Sequence, residues 1–162
     1  MVKIVCARYN EEVYWLIPMI NHIIVYNRAP HHDLHYISKD KIITCEILKS
    51  NYETYIKHII DNYDNLDDYT IFVQGNPEVT IFPNSKGESY ATIWKTLVQN
   101  KFYDFKYISR QIDTLLINDS KMFVVSKERI LRHSKEFWIE MFNTIRQNND
   151  ELENIWTDLL DK

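Results

Sequence analysis

Residues 2–11 read VKIVCARYNE, and this stretch decides the fold that we expect for the chain. Residues 2–7 are apolar apart from Lys3 and rich in β-branched side chains, which is typical of a buried strand. Polar or ionisable residues follow at once: Arg8, Tyr9, Asn10 and Glu11. The stretch therefore predicts an opening strand that carries a polar cluster to one edge of a sheet.

After this strand, apolar runs typical of strands alternate along the chain with segments whose apolar residues recur at helical spacing. Further strands are expected at residues 23–26, 42–48, 69–73 and 122–125. Helices are expected over 11–22 with Pro18 inside, from Ser50 or Asn51 onward, over 88–99, from Ser126, and in two amphipathic segments near the C-terminus. Residues 101–119 contain strand-like pieces. This alternation predicts a single α/β domain over residues 1–162, with a mostly parallel sheet flanked by helices.

Composition and charge limit the classes of function. The chain has 162 residues, of which 45% are hydrophobic and 26% charged, and its net charge of -4 argues against binding nucleic acid through phosphate neutralisation. Its apolar stretches are too short to span a bilayer, and no signal peptide precedes the first strand. We expect a cytoplasmic protein without a membrane span.

Glycine is rare, and this limits how a nucleotide could bind. Gly75 and Gly87 are the two glycines of the chain, so that no glycine-rich phosphate loop can be formed. Phosphates would have to be met by side chains, a metal or a helix N-terminus.

Two strands end in polar residues, the first at Arg8 and the fourth at Gln74, Gly75 and Asn76. In open α/β sheets, ligands bind beyond the carboxyl ends of the strands where the strand order reverses. If the two strands are neighbours, these residues form one site, in which Arg8 would pair with a diphosphate. The alternative is an ordinary surface ion pair between Arg8 and Glu11.

Other candidate residues have simpler explanations. A histidine group, His31, His32 and His35 with Asp33, matches no defined zinc spacing and is interpreted as a solvated loop. The acidic residues Asp61, Asp64, Asp67 and Asp68 precede the fourth strand and are interpreted as a solvated connection at the opposite edge. Cys6 and Cys45 are expected to be small buried hydrophobes, and His58 to lie on a helix surface.

Three segments together resemble a known family. They are residues 5–11 (VCARYNE) with Trp15 and Leu16, residues 54–66 (TYIKHIIDNYDNL) leading to 70–77 (TIFVQGNP), and residues 123–130 (FVVSKERI). The chain resembles a family of largely uncharacterised proteins from large DNA viruses, bacteria and fungi, which is similar to a compact GT-A nucleotide-sugar glycosyltransferase. If the protein is viral, its compartment would be the host cytoplasm.

The resemblance implies transfer of a sugar from a nucleoside diphosphate donor to the hydroxyl of a glycan or another acceptor. It implies that the nucleotide pocket is lined by Ala7, Arg8, Tyr9, Asn10 and Glu11, with Gln74, Gly75 and Asn76 where a metal-binding acidic motif is expected. It also implies Mn²⁺ or Mg²⁺ on the diphosphate and a carboxylate base, for which Glu78 and Glu88 are the candidates.

The residues at positions 74–76 are two amides and a glycine, which bind divalent cations less strongly than carboxylates. A second hypothesis therefore stays open, in which a catalytically degenerate protein with this fold acts as a sugar-binding or protein-interaction module.

Overall fold

The structure is a computed structural model that describes residues 1–29, 34–75, 105–112, 115–147 and 160. Six strands form one sheet: β1 (Val2–Arg8), β2 (Ile23–Asn27), β3 (Ile42–Thr44), β4 (Tyr69–Gln74), β5 (Phe105–Ile112) and β6 (Leu115–Ser126). Their order across the sheet is β3-β2-β1-β4-β6-β5, so that the three-residue strand β3 lies at one edge. The predicted helix over 88–99 lies outside the described residues.

The sheet is mixed, and the prediction of a mostly parallel sheet is wrong. β1 is parallel to β2 and to β4, and β2 is parallel to β3. β6 is antiparallel to both β4 and β5. β5 ends at Ile112 and β6 begins at Leu115, a connection too short for the crossover that a parallel pair requires. The α/β class is confirmed at this coarser level.

The described helices flank the sheet. The α-helices are α1 (Asn51–Asn62), α2 (Lys127–Ile130) and α3 (Lys135–Gln147), and 3₁₀ helices span Tyr14–His22, Lys39–Lys41 and Tyr63–Asn65. The N-caps predicted from sequence are confirmed: Ser50 Oγ accepts from Glu53 N, and Ser126 Oγ accepts from Arg129 N, both at 3.1 Å. None of the described helices has the length and hydrophobicity needed to cross a membrane.

The segment between β1 and β2 differs from the predicted helix. It is a 3₁₀ helix that begins at Tyr14, and Met19 interrupts it with φ -117° and ψ 21°. Pro18 lies directly before this break and has no amide hydrogen with which to continue a regular helical ladder. The third strand is also shorter than predicted, because the chain turns at Cys45, whose carbonyl accepts from Leu48 N at 3.1 Å.

Alternation of side chains along the strands builds a core on each face of the sheet. On β1, Val5 and Ala7 pack toward α1 and α3, whereas Ile4 and Cys6 pack toward the 3₁₀ helix Tyr14–His22. Trp138 is fully buried in the first of these cores. Arg8 continues the alternation of Ile4 and Cys6, and this places it on the 3₁₀ side at the carboxyl end of β1.

Candidate functional site

The polar ends of β1 and β4 lie side by side. Ala7 is paired with Gln74 in the parallel register, and Gly75 N donates to the Ala7 carbonyl at 3.0 Å. From β1 the chain builds β2 and β3 on one side and then crosses to β4 on the other, so this junction is where the strand order reverses. We call Arg8, Tyr9, Glu11, Gln74 and Gly75 the strand-end cluster.

Arg8 is held inside the protein by neutral acceptors. Its side chain is 0% exposed. Nε donates to the Glu11 carbonyl at 2.7 Å, and Nη1 donates to the Tyr9 carbonyl at 3.3 Å and to Asn27 Oδ1 at 2.5 Å. The interpretation of Arg8 and Glu11 as a surface ion pair is therefore wrong, since Arg8 is buried and bonds the backbone of Glu11.

Glu11 packs against Gly75 at the centre of the strand-end cluster. Its Oε2 atom accepts from Tyr9 N at 2.7 Å, and a Cβ placed on Gly75 would lie only 2.7 Å from the same oxygen. Trp15 Nε1 donates to the Gly75 carbonyl at 3.0 Å from the 3₁₀ helix. Glycine at this position is what allows the carboxylate to lie across the end of β4.

The other predicted site residues are distributed as follows. Ala7 is buried in the core, Tyr9 and Asn10 are exposed, and Gln74 is partly buried. Asn76, Glu78 and Glu88 lie outside the described residues, as do His31, His32 and Asp33. His35 is exposed. The structure thus brings Arg8, Glu11, Gln74 and Gly75 to one place.

Sequence reasoning missed two residues at this edge, Asn27 and Arg28. Asn27 Oδ1 accepts from Arg8 and also from Ala29 N at 3.3 Å. Arg28 Nη2 donates to Asn51 Oδ1 at 2.9 Å, and its Cζ lies 5.9 Å from the centroid of the Tyr9 ring. Because parallel neighbours end at the same edge, the residues after the second strand could have been added to the site from sequence.

The described residues do not fit a divalent-metal site. Mg²⁺ and Mn²⁺ require several oxygen ligands, preferably carboxylates. At the junction Glu11 supplies a carboxylate, whereas Gln74 and Gly75 supply none. Across the described ranges, no group of three or more His, Cys, Asp or Glu side chains is arranged to hold a metal ion.

The acidic connection before β4 forms ion pairs instead. Asp67 Oδ2 lies 3.7 Å from Lys3 Nζ, and Asp64 Oδ2 lies 3.5 Å from Lys135 Nζ. The other two pairs are Asp61 with Lys57 and Asp68 with the N-terminal ammonium group. The Lys3–Asp67 pair is partly buried, whereas the other pairs are more exposed and contribute little to stability individually.

A cleft of about 500 Å³ lies at the opposite edge of the sheet from the strand-end cluster. Its lining includes Asp68, Tyr69, Ser126, Lys127 and Arg132. Tyr69 is at the amino end of β4 and Ser126 at the carboxyl end of the antiparallel strand β6. We give the cleft no role in the chemistry, because its lining mixes both signs of charge and has no buried unpaired group.

His58 is buried in the core, contrary to the predicted surface position. It is 5% exposed, and its Nδ1 lies 3.1 Å from Tyr26 Oη and 3.3 Å from Asn62 Nδ2. Burial lowers the pKa of His58 to about 4, with Lys3 adding to the effect and Asp61 opposing it. The ring is therefore neutral at pH 7.

Both cysteines are free thiols. Cys6 is fully buried, and burial raises the pKa of its thiol far above the usual value, with Glu11 adding to the effect and Arg8 and Arg28 opposing it. Cys45 is partly buried, and the same cause raises its pKa to about 11. Neither thiol has the lowered pKa of a reactive nucleophile.

Comparison of the chain with protein-family models, with curated proteins and with solved structures found no match.

Proposed function

We propose that the protein is a GT-A-like glycosyltransferase that moves a sugar from a nucleoside diphosphate donor to an acceptor hydroxyl. The observation that supports this proposal is the junction of β1 and β4, where two polar strand ends meet at the reversal of strand order. The resemblance of residues 5–11, 54–77 and 123–130 supplies the identity of the ligand.

The reaction breaks the bond between the anomeric carbon of the sugar and the diphosphate oxygen and forms a bond to the acceptor oxygen. The hydroxyl proton passes to a base, and the departing diphosphate carries the electron pair. Glu78 and Glu88 stay predictions for the base. Arg8 would place its guanidinium group, whose fork of donors suits phosphate oxygens, near the expected position of the diphosphate.

Titration calorimetry with UDP-, GDP- and dTDP-sugars, each with and without Mn²⁺, tests the proposal. We expect at least one donor to bind, and slow hydrolysis of that donor by the wild-type protein. Arg8→Ala is expected to abolish both, provided that circular dichroism shows a folded variant. The absence of binding by the whole panel under both conditions would contradict the proposal.

The second candidate is a non-catalytic sugar-binding or protein-interaction module with the same fold. Gln74 and Gly75 favour it, because neither residue supplies a carboxylate where the metal-binding acidic motif is expected. Donor hydrolysis that is present in the wild type and lost in Arg8→Ala would exclude this candidate. Donor binding without any turnover in the presence of Mn²⁺ and a panel of acceptors would favour it.

A further inference from the structure

Two arginines at the carboxyl edge of the sheet, Arg8 and Arg28, have unused donors in the interior. Arg8 Nη2 and Arg28 Nε are both buried, and neither has a hydrogen-bond partner among the residues that the structure describes. Arg8 as a whole is 0% exposed. Buried donors are rarely left unsatisfied, and such a group calls for an explanation.

The described hydrogen bonds of these two guanidinium groups all go to neutral acceptors. The acceptors around Arg8 are two backbone carbonyls and the Asn27 amide, and the side-chain acceptor of Arg28 is the Asn51 amide. Within the part of the chain that the structure describes, neither guanidinium forms an ion pair with a carboxylate. A buried cation is costly unless an anion accompanies it.

Arg8 and Arg28 lie next to each other in the fold, at the carboxyl ends of β1 and β2. Arg28 N donates to the Arg8 carbonyl at 3.0 Å. Both side chains also approach Tyr9, Arg8 through its hydrogen bond to the carbonyl and Arg28 through its position over the ring. Asn51 connects Arg28 to the first turn of the 12-residue helix α1, whose dipole adds to the positive potential. The acid of that turn, Glu53, lies 4.0 Å from Arg146.

We infer that the arginine pair binds the diphosphate of the donor directly and takes the place of the divalent cation. The inference rests on the proposed function for the identity of the anion. A guanidinium offers parallel N–H groups that match two phosphate oxygens, and two such groups supply the charge that a metal would otherwise supply. Because the N–H groups without partners are buried, binding of the anion requires the surrounding side chains to move.

Calorimetric titration of the full chain with sodium pyrophosphate and with UDP, in buffer containing EDTA, tests this inference. Both ligands are expected to bind without metal. Arg28→Gln should weaken binding by about tenfold or more. Arg28→Lys keeps the charge but not the fork of donors, so its affinity should lie between those of the wild type and Arg28→Gln. Arg132→Gln removes the same charge at the opposite edge and is the matched control, with unchanged affinity expected.

Circular dichroism and thermal unfolding establish whether each variant is folded. If Arg28→Gln is not folded, the affinity of Arg28→Lys is compared with that of the wild type instead. Binding of UDP or a nucleotide sugar only with Mn²⁺, or with equal affinity in Arg28→Gln, overturns the inference and leaves the proposed function standing. Pyrophosphate binding that depends on Arg28, together with failure of every nucleotide sugar, supports the anion site and overturns the proposed function. No binding of either phosphate ligand in EDTA overturns the inference.

Discussion

Arg8 Nη1 donates a hydrogen bond of 2.5 Å to Asn27 Oδ1 in the protein interior, and this bond joins the carboxyl ends of β1 and β2. The amide oxygen has a second donor, Ala29 N at 3.3 Å, so one side chain organises both the guanidinium and the turn after β2. Among the described residues Asn27 is the side-chain acceptor of Arg8, whose other partners are backbone carbonyls.

Asn27→Ala is expected to lower the free energy of unfolding by about 2 kcal/mol or more, since it leaves a buried charged donor without its acceptor. Urea denaturation at pH 7 measures the change. Asn10→Ala is the control, because Asn10 is exposed, and its effect should stay within roughly 0.5 kcal/mol. Equal, small effects of the two substitutions would contradict the structural role given to Asn27.

Gly75→Ala is expected to destabilise the protein, because the added Cβ would lie 2.7 Å from Glu11 Oε2 and force the carboxylate away from Tyr9 N. The loss of this exposed hydrogen bond predicts a cost of about 1 kcal/mol. A double-mutant cycle with Glu11→Ala tests the cause, since the cost of Gly75→Ala should shrink once the carboxylate is gone. Strict additivity of the two substitutions would show that they do not interact.

His58 is expected to make stability depend on pH between 6.5 and about 4. Its folded pKa is lowered from 6.5, so the unfolded chain binds the proton more readily in this window, and stability falls as the pH falls. Full protonation corresponds to a loss of roughly 3 kcal/mol, with no further contribution from His58 below pH 4.

The measurement is urea denaturation at several pH values for the wild type and for His58→Gln. The variant should lose less stability on acidification, while His35→Gln, which replaces an exposed histidine, should follow the wild type. Parallel pH profiles for wild type and His58→Gln would refute the assignment.

Ser50→Ala is expected to reduce stability by about 1 kcal/mol, because Ser50 Oγ caps α1 by accepting from Glu53 N. Ser38 provides a matched control, since it holds the equivalent position before the 3₁₀ helix Lys39–Lys41 without a side-chain capping bond. Thermal unfolding of both alanine variants compares the two serines. A loss in Ser38→Ala as large as that in Ser50→Ala would exclude capping as the cause.

Local patterns in the sequence predicted the elements that are governed by local physics. The buried strand at residues 2–7, the cap at Ser50 and the start of α2 after Ser126 follow from β-branched runs and from side chains that accept from free amides. The antiparallel direction of β6 was not predictable in this way. It depends on pairing between β4 and residues far along the chain. The periodicity of apolar residues within a segment does not predict such long-range pairing.

The candidate site was predictable in position more than in geometry. The polar ends of the first and fourth strands were expected to meet if the strands were neighbours, and Ala7 and Gln74 are indeed paired. The burial of Arg8 and His58 was not expected, because these side chains are usually exposed and their burial depends on partners from other elements, Asn27 and Tyr26.

The shortness of β3 has a consequence for how copies of the chain meet one another. An outer strand with unpaired amides and carbonyls is a template for adding a strand from a neighbouring molecule. β3 offers only the three residues Ile42–Thr44 at this border of the sheet, and the chain leaves the extended conformation at Cys45. Within the described strands, a ladder begun at β3 would gain few hydrogen bonds, so β3 is a poor template for the edge-to-edge strand addition that leads to aggregation.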